Sequence, residues 1–413
     1  MELYLLIMGK KNQQLKKKII KYLYYSDTLS VAELCLKADK SLPVISKFLN
    51  ELIEEGLITE TGYAASSGGR RPLTYAIVPN LLYVVSVSMD QYVSRIAIMN
   101  LKNSFVTPVE EFELPLTKNP DASFVLAEKI EEVITNSGIP KNKIAGVGIG
   151  MPGFVDAKKG INYTFLSVPG KNVTEYMSEK IGLPVFIDND SRLIALAELR
   201  FGAARNKTNV MVLNVGWGVG LGMILNGELF KGHNGFAGEF SHIPLFTNSI
   251  LCSCGKTGCL ETETSLMVVI KKVQEGLRGG RMSVLKDVAM EHFEQAIEAI
   301  MNAAKEGDQF AAELFSETGY KIGRGVAILI HLFNPETVIL SGRGSLAGKI
   351  WQAPIQQALN EHCIPRLAMN TNIEISTLGY HAELIGAAAL VMENFERRTE
   401  TSGTPEPDDH LLK

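Results

Sequence analysis

No stretch of the sequence holds the roughly 18 consecutive apolar residues that a membrane-spanning helix requires. The apolar start, Met1–Met8, is far too short to cross a bilayer, and no secretory signal pattern follows it. A cytoplasmic protein with no membrane partner is therefore expected. Cysteine is scarce: five in 413 residues exclude a scaffold built on disulfides and fit a reducing compartment. No tandem repeat is present. Excess charge of one sign is also missing, since the net charge is only −4. That excludes a chain basic throughout, yet it hides an asymmetry. Residues 1–80 carry eleven Lys/Arg against eight Asp/Glu, a local +3, which leaves −7 for the remainder. With 46% hydrophobic and 21% charged residues, the composition is that of a folded protein, long enough for two or three domains.

What cysteine there is lies together. Cys252, Cys254 and Cys259 fall within eight residues, and His242 stands ten residues before the first. Gly255 and Gly258 let the backbone turn between the thiols. Zinc takes four tetrahedral sulfur or nitrogen ligands, and this Cys₃His set supplies them. Four protein ligands leave no open position, so the zinc is expected to be structural. The spacing is not that of a two-knuckle zinc finger, and reduced structural cysteines without a metal are the alternative.

The first 80 residues read as three helices and a hairpin. Residues 10–25 carry Leu15, Ile19, Ile20 and Leu23 on one face, with Lys10, Lys11, Lys16, Lys17, Lys18 and Lys21 around the rest. Ser30 is placed to cap a helix over VAELCLKA. Ser41-Leu42-Pro43 starts a third helix that ends near Glu54. Its Ile45, Phe48, Leu49 and Leu52 point inward, while Ser41, Pro43, Ser46, Lys47 and Asn50 stay outside. A strand after Gly56, a polar loop from Thr61 to Arg71 and a strand over Leu73–Val78 complete a winged helix-turn-helix. The outward face of the third helix suits the major groove of DNA. Arg70 and Arg71, held between Gly69 and Pro72, suit a narrow minor groove. A solvated bundle with a basic face is the alternative.

Beyond Asn80 strands and helices alternate, which indicates an α/β fold. Strands are expected over Leu82–Ser88, Val93–Leu101, Ile144–Ile149, Pro184–Ile187, Val210–Val215, Met223–Leu225, Thr337–Leu340 and Asn372–Thr377. Helices are expected over Ala122–Asn136, Ser191–Phe201, most of 265–333 and Glu383–Phe395. Gly216–Gly222 reads as a glycine-rich turn. Residues 397–413, rich in Thr, Pro, Glu and Asp, read as a disordered tail. Asn189-Asp190 precedes a helix, so it is a cap or a ligand on equal terms.

The pattern Gly232, Gly235, Gly238, Glu239, His242, followed by Cys252-x-Cys254-Gly255-x-x-Gly258-Cys259-Leu260-Glu261, resembles the ROK family of repressors, uncharacterised reading frames and sugar kinases. The resemblance covers roughly residues 80–395. It implies an N-terminal winged helix-turn-helix (1–80) followed by a two-lobed actin-like, ribonuclease H-like ATPase/sugar-kinase fold. The first lobe would be 81–200, completed by about 378–396, and the second 201–377 with the zinc loop. It also implies that His242 and the three cysteines hold zinc, and that Gly150, Asn189, Asp190, Glu239, His242 and Glu261 face a sugar. Carboxylates suit that task because each accepts two hydroxyls.

The family's kinases carry an Asp-x-Gly-Gly-Thr phosphate turn. Here Ser88, Met89, Asp90, Gln91 and Tyr92 stand in its place. A second turn, Gly-Thr-Gly-Ile-Gly-Gly-Gly, has Trp217 for its Thr and Leu221 for a Gly, and a third Gly-Gly-Gly reads Ser341-Gly342-Arg343. The Asn often found before helix entry in that family is not obvious in Thr164–Asn172. Phosphoryl transfer depends on positioning phosphates, so the expectation is no enzyme, with Asp190 a vestigial base. The chain reads as a sugar-responsive transcriptional regulator. Its expected partners are operator DNA, a sugar or sugar phosphate, and further copies of itself as a dimer or tetramer. A sugar kinase with an accessory DNA head and a regulator controlled by a protein partner are the rivals.

Overall fold

The computed structural model describes residues 11–63 and 71–396. The expected disordered tail and Arg70 lie outside that range. The N-terminal unit comprises α1 (Lys11–Tyr24), β1 (Leu29–Ser30), α2 (Val31–Ala38), α3 (Leu42–Glu54), β2 (Ile58–Tyr63) and β3 (Leu73–Ile77). Ser30 caps α2 in a reciprocal box with Glu33. Pro43 sits in the first turn of α3, where its missing N–H is not needed. Ile45, Phe48, Leu49 and Leu52 of α3 are buried. Each contributes about 1.5–3 kcal/mol, more than a cap supplies, so packing fixes the helix and the cap sets its start. β2 and β3 pair as the wing, and β1 joins the far side of β3. At two residues, β1 is too short for any periodicity to reveal.

The first lobe is built from β4 (Tyr83–Met89), β5 (Val93–Asn100), β6 (Glu110–Glu113), α4 (Ala122–Asn136), β7 (Ile144–Met151), β8 (Val155–Asp156), β9 (Ile161–Asn162), α5 (Val173–Ile181), β10 (Val185–Asn189) and α6 (Asp190–Phe201). Its sheet runs β10-β7-β4-β5-β6, with β10, β7 and β4 parallel and β4–β5–β6 antiparallel. The second lobe contains β11 (Val210–Val215), β12 (Val219–Leu225), β13 (Glu228–Leu229), α7 (Glu261–Thr264), α8 (Leu266–Arg278), α9 (Phe293–Glu306), α10 (Gln309–Phe333), β14 (Thr337–Ser341), α11 (Gln352–His362), α12 (Pro365–Ala368) and β15 (Asn372–Ile375). Its sheet runs β13-β12-β11-β14-β15. The glycine-rich stretch is therefore a turn only to Gly218, because Val219–Gly222 already pairs with β11. Two like-ordered sheets facing a shared cleft form the two-lobed sugar-kinase-like fold.

The last helix, α13 (Ala382–Glu393), returns to the first lobe and packs against α6, β7 and β4. Two glycines allow that approach. A Cβ on Gly386 would come within 2.0 Å of the Leu193 carbonyl oxygen, and one on Gly148 within 2.0 Å of that of Ala387. The far end of α13 reaches the N-terminal unit. Ala388, Val391, Met392 and Phe395 share one buried cluster with Ile19, Ile20, Leu23 and Tyr24 of α1. No helix among the described residues is long and apolar enough to cross a membrane.

Candidate functional site

The two sheets meet at a cleft of about 470 Å³. Its floor is made by the β4–β5 turn, the start of α6, the β11–β12 turn, the loop before α7 and the segment after β14.

The cysteine loop borders this cleft. Gly255 and Gly258 both take left-handed backbone angles, and a Cβ on Gly258 would strike the Phe246 carbonyl oxygen. The Cys252 N–H donates to Lys256 O at 2.8 Å, which closes the turn between the thiols. The ligand atoms of His242, Cys252, Cys254 and Cys259 all lie within 4.8 Å of one another. Cys254 Sγ is 3.6 Å from Cys259 Sγ, and Cys252 Sγ is 3.4 Å from His242 Nδ1. A tetrahedron with metal–sulfur bonds of about 2.3 Å has edges of about 3.8 Å, so this donor set fits a metal ion of that size. The sulfurs are too far apart for a disulfide. His242 Nδ1 faces the thiols, while Nε2 lies 3.8 Å from Glu239 Oε2 in the cleft.

The structure brings Asn189, Asp190, Glu239, His242 and Glu261 to the cleft wall. Gly150 is the exception. It lies within β7 under Glu383, and a Cβ there would be 2.5 Å from Glu383 Oε1. The expectation that Gly150 approaches a ligand is corrected accordingly: it makes room for a carboxyl group of the chain itself. Asn189 is the N-cap of α6, accepting from the N–H groups of Ser191 and Arg192, and its amide donates to Gly153 O at 3.3 Å. Asp190 accepts from Ser191 N at 2.7 Å and from the Asn214 amide at 3.3 Å. Burial pushes the Asp190 carboxyl up to about 6. Burial also raises Glu239. Asn162 is buried and ties Pro152, Thr164 and Phe165 together through its amide.

Two cleft residues escaped sequence reasoning. Glu383, at the start of α13, is pushed up to about 8 by burial and by the neighbouring Asp190 charge. It accepts from Met89 N at 3.2 Å. The folded protein thus keeps a proton that the unfolded chain releases above about 4.5, the ordinary value. Stability contributed by this group falls as pH rises from that value towards 8 and is level beyond. Glu383→Gln keeps the acceptor without the charge. Its melting temperature is expected to gain on the wild type between pH 5 and 9, by an amount worth about 2–4 kcal/mol at the alkaline end. Thermal melts across that range check the trend; a constant offset would contradict it.

Arg343 is the other. It is 5% exposed and spans the cleft. Its guanidinium bonds Glu294 and the Tyr380 hydroxyl, and reaches Asp90 Oδ2 in the opposite lobe at 3.2 Å. The same group stacks 4.2 Å from the Trp217 ring centroid and 4.6 Å from that of Tyr380. Tyr92 and Trp217 both meet Phe293 edge-on. The departures in all three glycine-rich turns therefore pack against one another. Three backbone donors at these turns are also taken. Asp90 accepts from Tyr92 N and Val93 N, each at 2.8 Å, and Glu261 accepts from Val219 N at 3.2 Å.

On the N-terminal unit, Ser41, Pro43, Lys47, Asn50 and Arg71 are exposed, and Ser46 is half-buried. The Ser41 side chain makes no cap hydrogen bond, which leaves its hydroxyl to other partners. The lysines of α1 are corrected from a uniform solvent face. Lys16 pairs with Glu51 and Glu55, Lys21 pairs with Glu393 and Glu396, and Lys17 is buried.

The sequence pattern of the ROK family matches residues 95–394. A xylose repressor of Caldicellulosiruptor bescii is 29% identical over 391 residues, 92% of this chain and 95% of the relative. A glucokinase of Halalkalibacterium halodurans is 30% identical over 314 residues, covering 95% of that enzyme but 73% of this chain. A crystal structure of a ROK family transcriptional regulator, a homologue of the Escherichia coli MLC protein, superposes with a TM-score of 0.74 at 26% identity. It covers 93% of this chain and 97% of the other.

Proposed function

This chain belongs to the ROK family, and from that we propose that it is a cytoplasmic, sugar-responsive DNA-binding regulator, a repressor of carbohydrate-use genes, with no kinase activity. The observation that carries the reading is the Arg343 cluster. In a kinase the glycine-rich turns present free N–H groups to phosphates. Here the N–H groups of Met89, Tyr92, Val93 and Val219 are bonded to Glu383, Asp90 and Glu261, and the space between the turns holds a guanidinium stacked on Trp217. A triphosphate would have to displace the chain's own carboxylates and break the Arg343 pairs.

On this reading the sugar occupies the other half of the cleft, where Asp190, Glu239 and Glu261 offer acceptors to its hydroxyls and His242 a ring nitrogen. His242, Cys252, Cys254 and Cys259 hold a structural zinc ion. A zinc ion held by these four residues would neutralise the thiolates, and the loop they close orients the His242 ring towards Glu239. Operator DNA is read by the outer face of α3, with Ser41, Pro43, Ser46, Lys47 and Asn50, and by the wing with Arg71. Two heads in a dimer or tetramer engage half-sites about one helical turn apart. The relatives named as repressors support this, as does the longer coverage they share with this chain.

The route from cleft to head is short. Both α6 and α13 begin at the cleft, with Asp190 and Glu383, and both end at the N-terminal unit. At that end Glu393 of α13 pairs with Lys21 of α1 and Arg200 of α6, and Arg200 stacks on Tyr25. A sugar that binds one lobe arrangement better than the other shifts these helices and with them the head.

The kinase reading keeps one observation, the raised carboxyl of Asp190, which suits a general base. Calorimetry with ATP and a phosphorylation assay over a hexose and pentose panel decide between the two. The expected outcome is no ATP binding and no transfer. ATP-dependent phosphorylation abolished by Asp190→Asn would reverse the assignment.

A further inference from the structure

We infer that the effector of this chain is an unphosphorylated, uncharged sugar, and that the cleft discriminates against sugar phosphates; the inference rests on the reading of the cleft as a sugar site. Anions are held by three devices: free cations, uncapped helix N-termini and turns with open N–H groups. In this cleft the cations, the start of α6 and the N–H groups of Met89, Tyr92, Val93 and Val219 are already used by the chain.

Five carboxyl groups line the cavity: Asp90, Asp190, Glu239, Glu261 and Glu383. Against them stand Arg95, Arg192, Arg343 and His242. Arg192 is buried and committed to Asp188, to the Val155 carbonyl at 2.9 Å and to that of Gly235. Arg95 is buried, stacks 3.5 Å from the Tyr380 ring centroid and donates to its carbonyl at 2.9 Å. Arg343 is taken by Glu294 and Asp90. His242 turns Nδ1 to the cysteines. Among the described residues, no lining cation faces the cavity without a partner.

The start of α6 is the natural anion site of the cleft. Its first N–H groups are bonded to Asn189 and Asp190. The turn donors Met89, Tyr92, Val93 and Val219 are each bonded to a carboxylate oxygen, as described above. A phosphate entering here meets acceptors where it needs donors, and like charge at short range. A neutral polyol meets the reverse. Its hydroxyls donate to the carboxylates, and the Ser241 hydroxyl also lines the wall. The mouth adds an apolar surface. Phe154 lines it and meets Phe236 edge-on at 5.7 Å, and Tyr163 meets the same ring at 6.1 Å. Such a rim packs against the C–H face of a sugar ring and offers nothing to a phosphate.

The test is calorimetric titration of the full-length, zinc-loaded protein with glucose, mannose, xylose and N-acetylglucosamine. Each is compared with its own phosphate ester, with and without millimolar magnesium. The expected result is that at least one free sugar binds and its ester binds about tenfold weaker or not at all, magnesium or not. An ester that binds as tightly as the free sugar, or more tightly, overturns the inference and leaves the sugar site standing. Binding of neither form across the panel would overturn the sugar reading itself, and the inference with it. Phe154→Ala separates the mouth from the floor. It is expected to weaken the free sugar several-fold without admitting the ester, and gain of ester binding would count against the carboxylate explanation.

Discussion

Cys259→Ser is expected to strip the protein of bound zinc, lower its melting temperature by roughly 10 °C and weaken sugar binding about tenfold or more. Cys259 is fully buried between His242 and Cys254, and its neighbours Leu260 and Glu261 lead directly into α7. A serine hydroxyl is a poor zinc ligand, and three remaining donors around a partly open site bind weakly. The loop then loses the cross-link that holds residues 242–259 together, a loss of about 3–5 kcal/mol. For lobes of this size each kcal/mol moves the midpoint by about 2–4 °C. Sugar affinity falls for a separate reason. His242 Nε2 faces Glu239, and the Glu261 carboxylate is anchored to the Val219 N–H only while the loop keeps its place. Metal analysis, melting and calorimetry on the same preparation test the three parts. A variant without zinc that melts and binds sugar as the wild type does would remove the metal from the account.

Glu393→Gln is expected to separate sugar binding from DNA release. Glu393 closes the joint between the cleft helices and the head, with Lys21 at 2.9 Å and Arg200 at 2.6 Å. Although burial opposes it, Arg200 and Lys21 together hold this carboxyl below its ordinary value. The pair therefore stabilises the joint above the ordinary carboxylate range and is lost as pH falls through the lowered value. Neutralising Glu393 leaves Arg200 without its carboxylate and Lys21 with Glu396 alone, at a cost of about 1–3 kcal/mol. That cost falls on the joint at the last residue of α13 and not on the cleft at its start, about 15 Å away at a rise of about 1.5 Å per residue. Sugar affinity is expected to stay within about twofold. The drop in DNA affinity that sugar produces is expected to shrink about tenfold or more. Unchanged release in the variant would mean that the signal does not pass through the α13 end.

The parts of the fold that periodicity governs were legible in the sequence. The helix over Ala122–Asn136 and the strand over Val210–Val215 match residue for residue, because an amphipathic stripe and a β-branched run bounded by turn residues leave few alternatives. The winged unit was readable from Ser30, Pro43 and Gly56, residues whose local chemistry fixes helix ends. β6, written EEFE, was not, since its pairing to β5 comes from tertiary contact and not from pattern. α5 carried a signal that went unused: Asn172 followed three residues on by Glu175 is a capping box.

At the site, the cysteines and His242 were legible because ligand type and clustering are local. Arg343 and Glu383 were not. Arg343 acts across the cleft and Glu383 within the first lobe, on partners about 250 or 300 residues away in sequence, Asp90 and Met89. Arg343 was readable only as a lost glycine, and its pairing with the substitutions Asp90 and Trp217 needs three dimensions. Gly150 failed for the same reason. Its small size serves Glu383, which no spacing argument connects to it.

The most direct test of the account is operator affinity measured by fluorescence anisotropy on a DNA fragment selected by the protein itself, in the presence and absence of the sugar that calorimetry identifies, and of ATP. The prediction is nanomolar to sub-micromolar binding that weakens about tenfold or more when the free sugar is added and does not change with ATP. Specific DNA binding that ignores a sugar the protein demonstrably binds, or that responds only when ATP is also present, would contradict it.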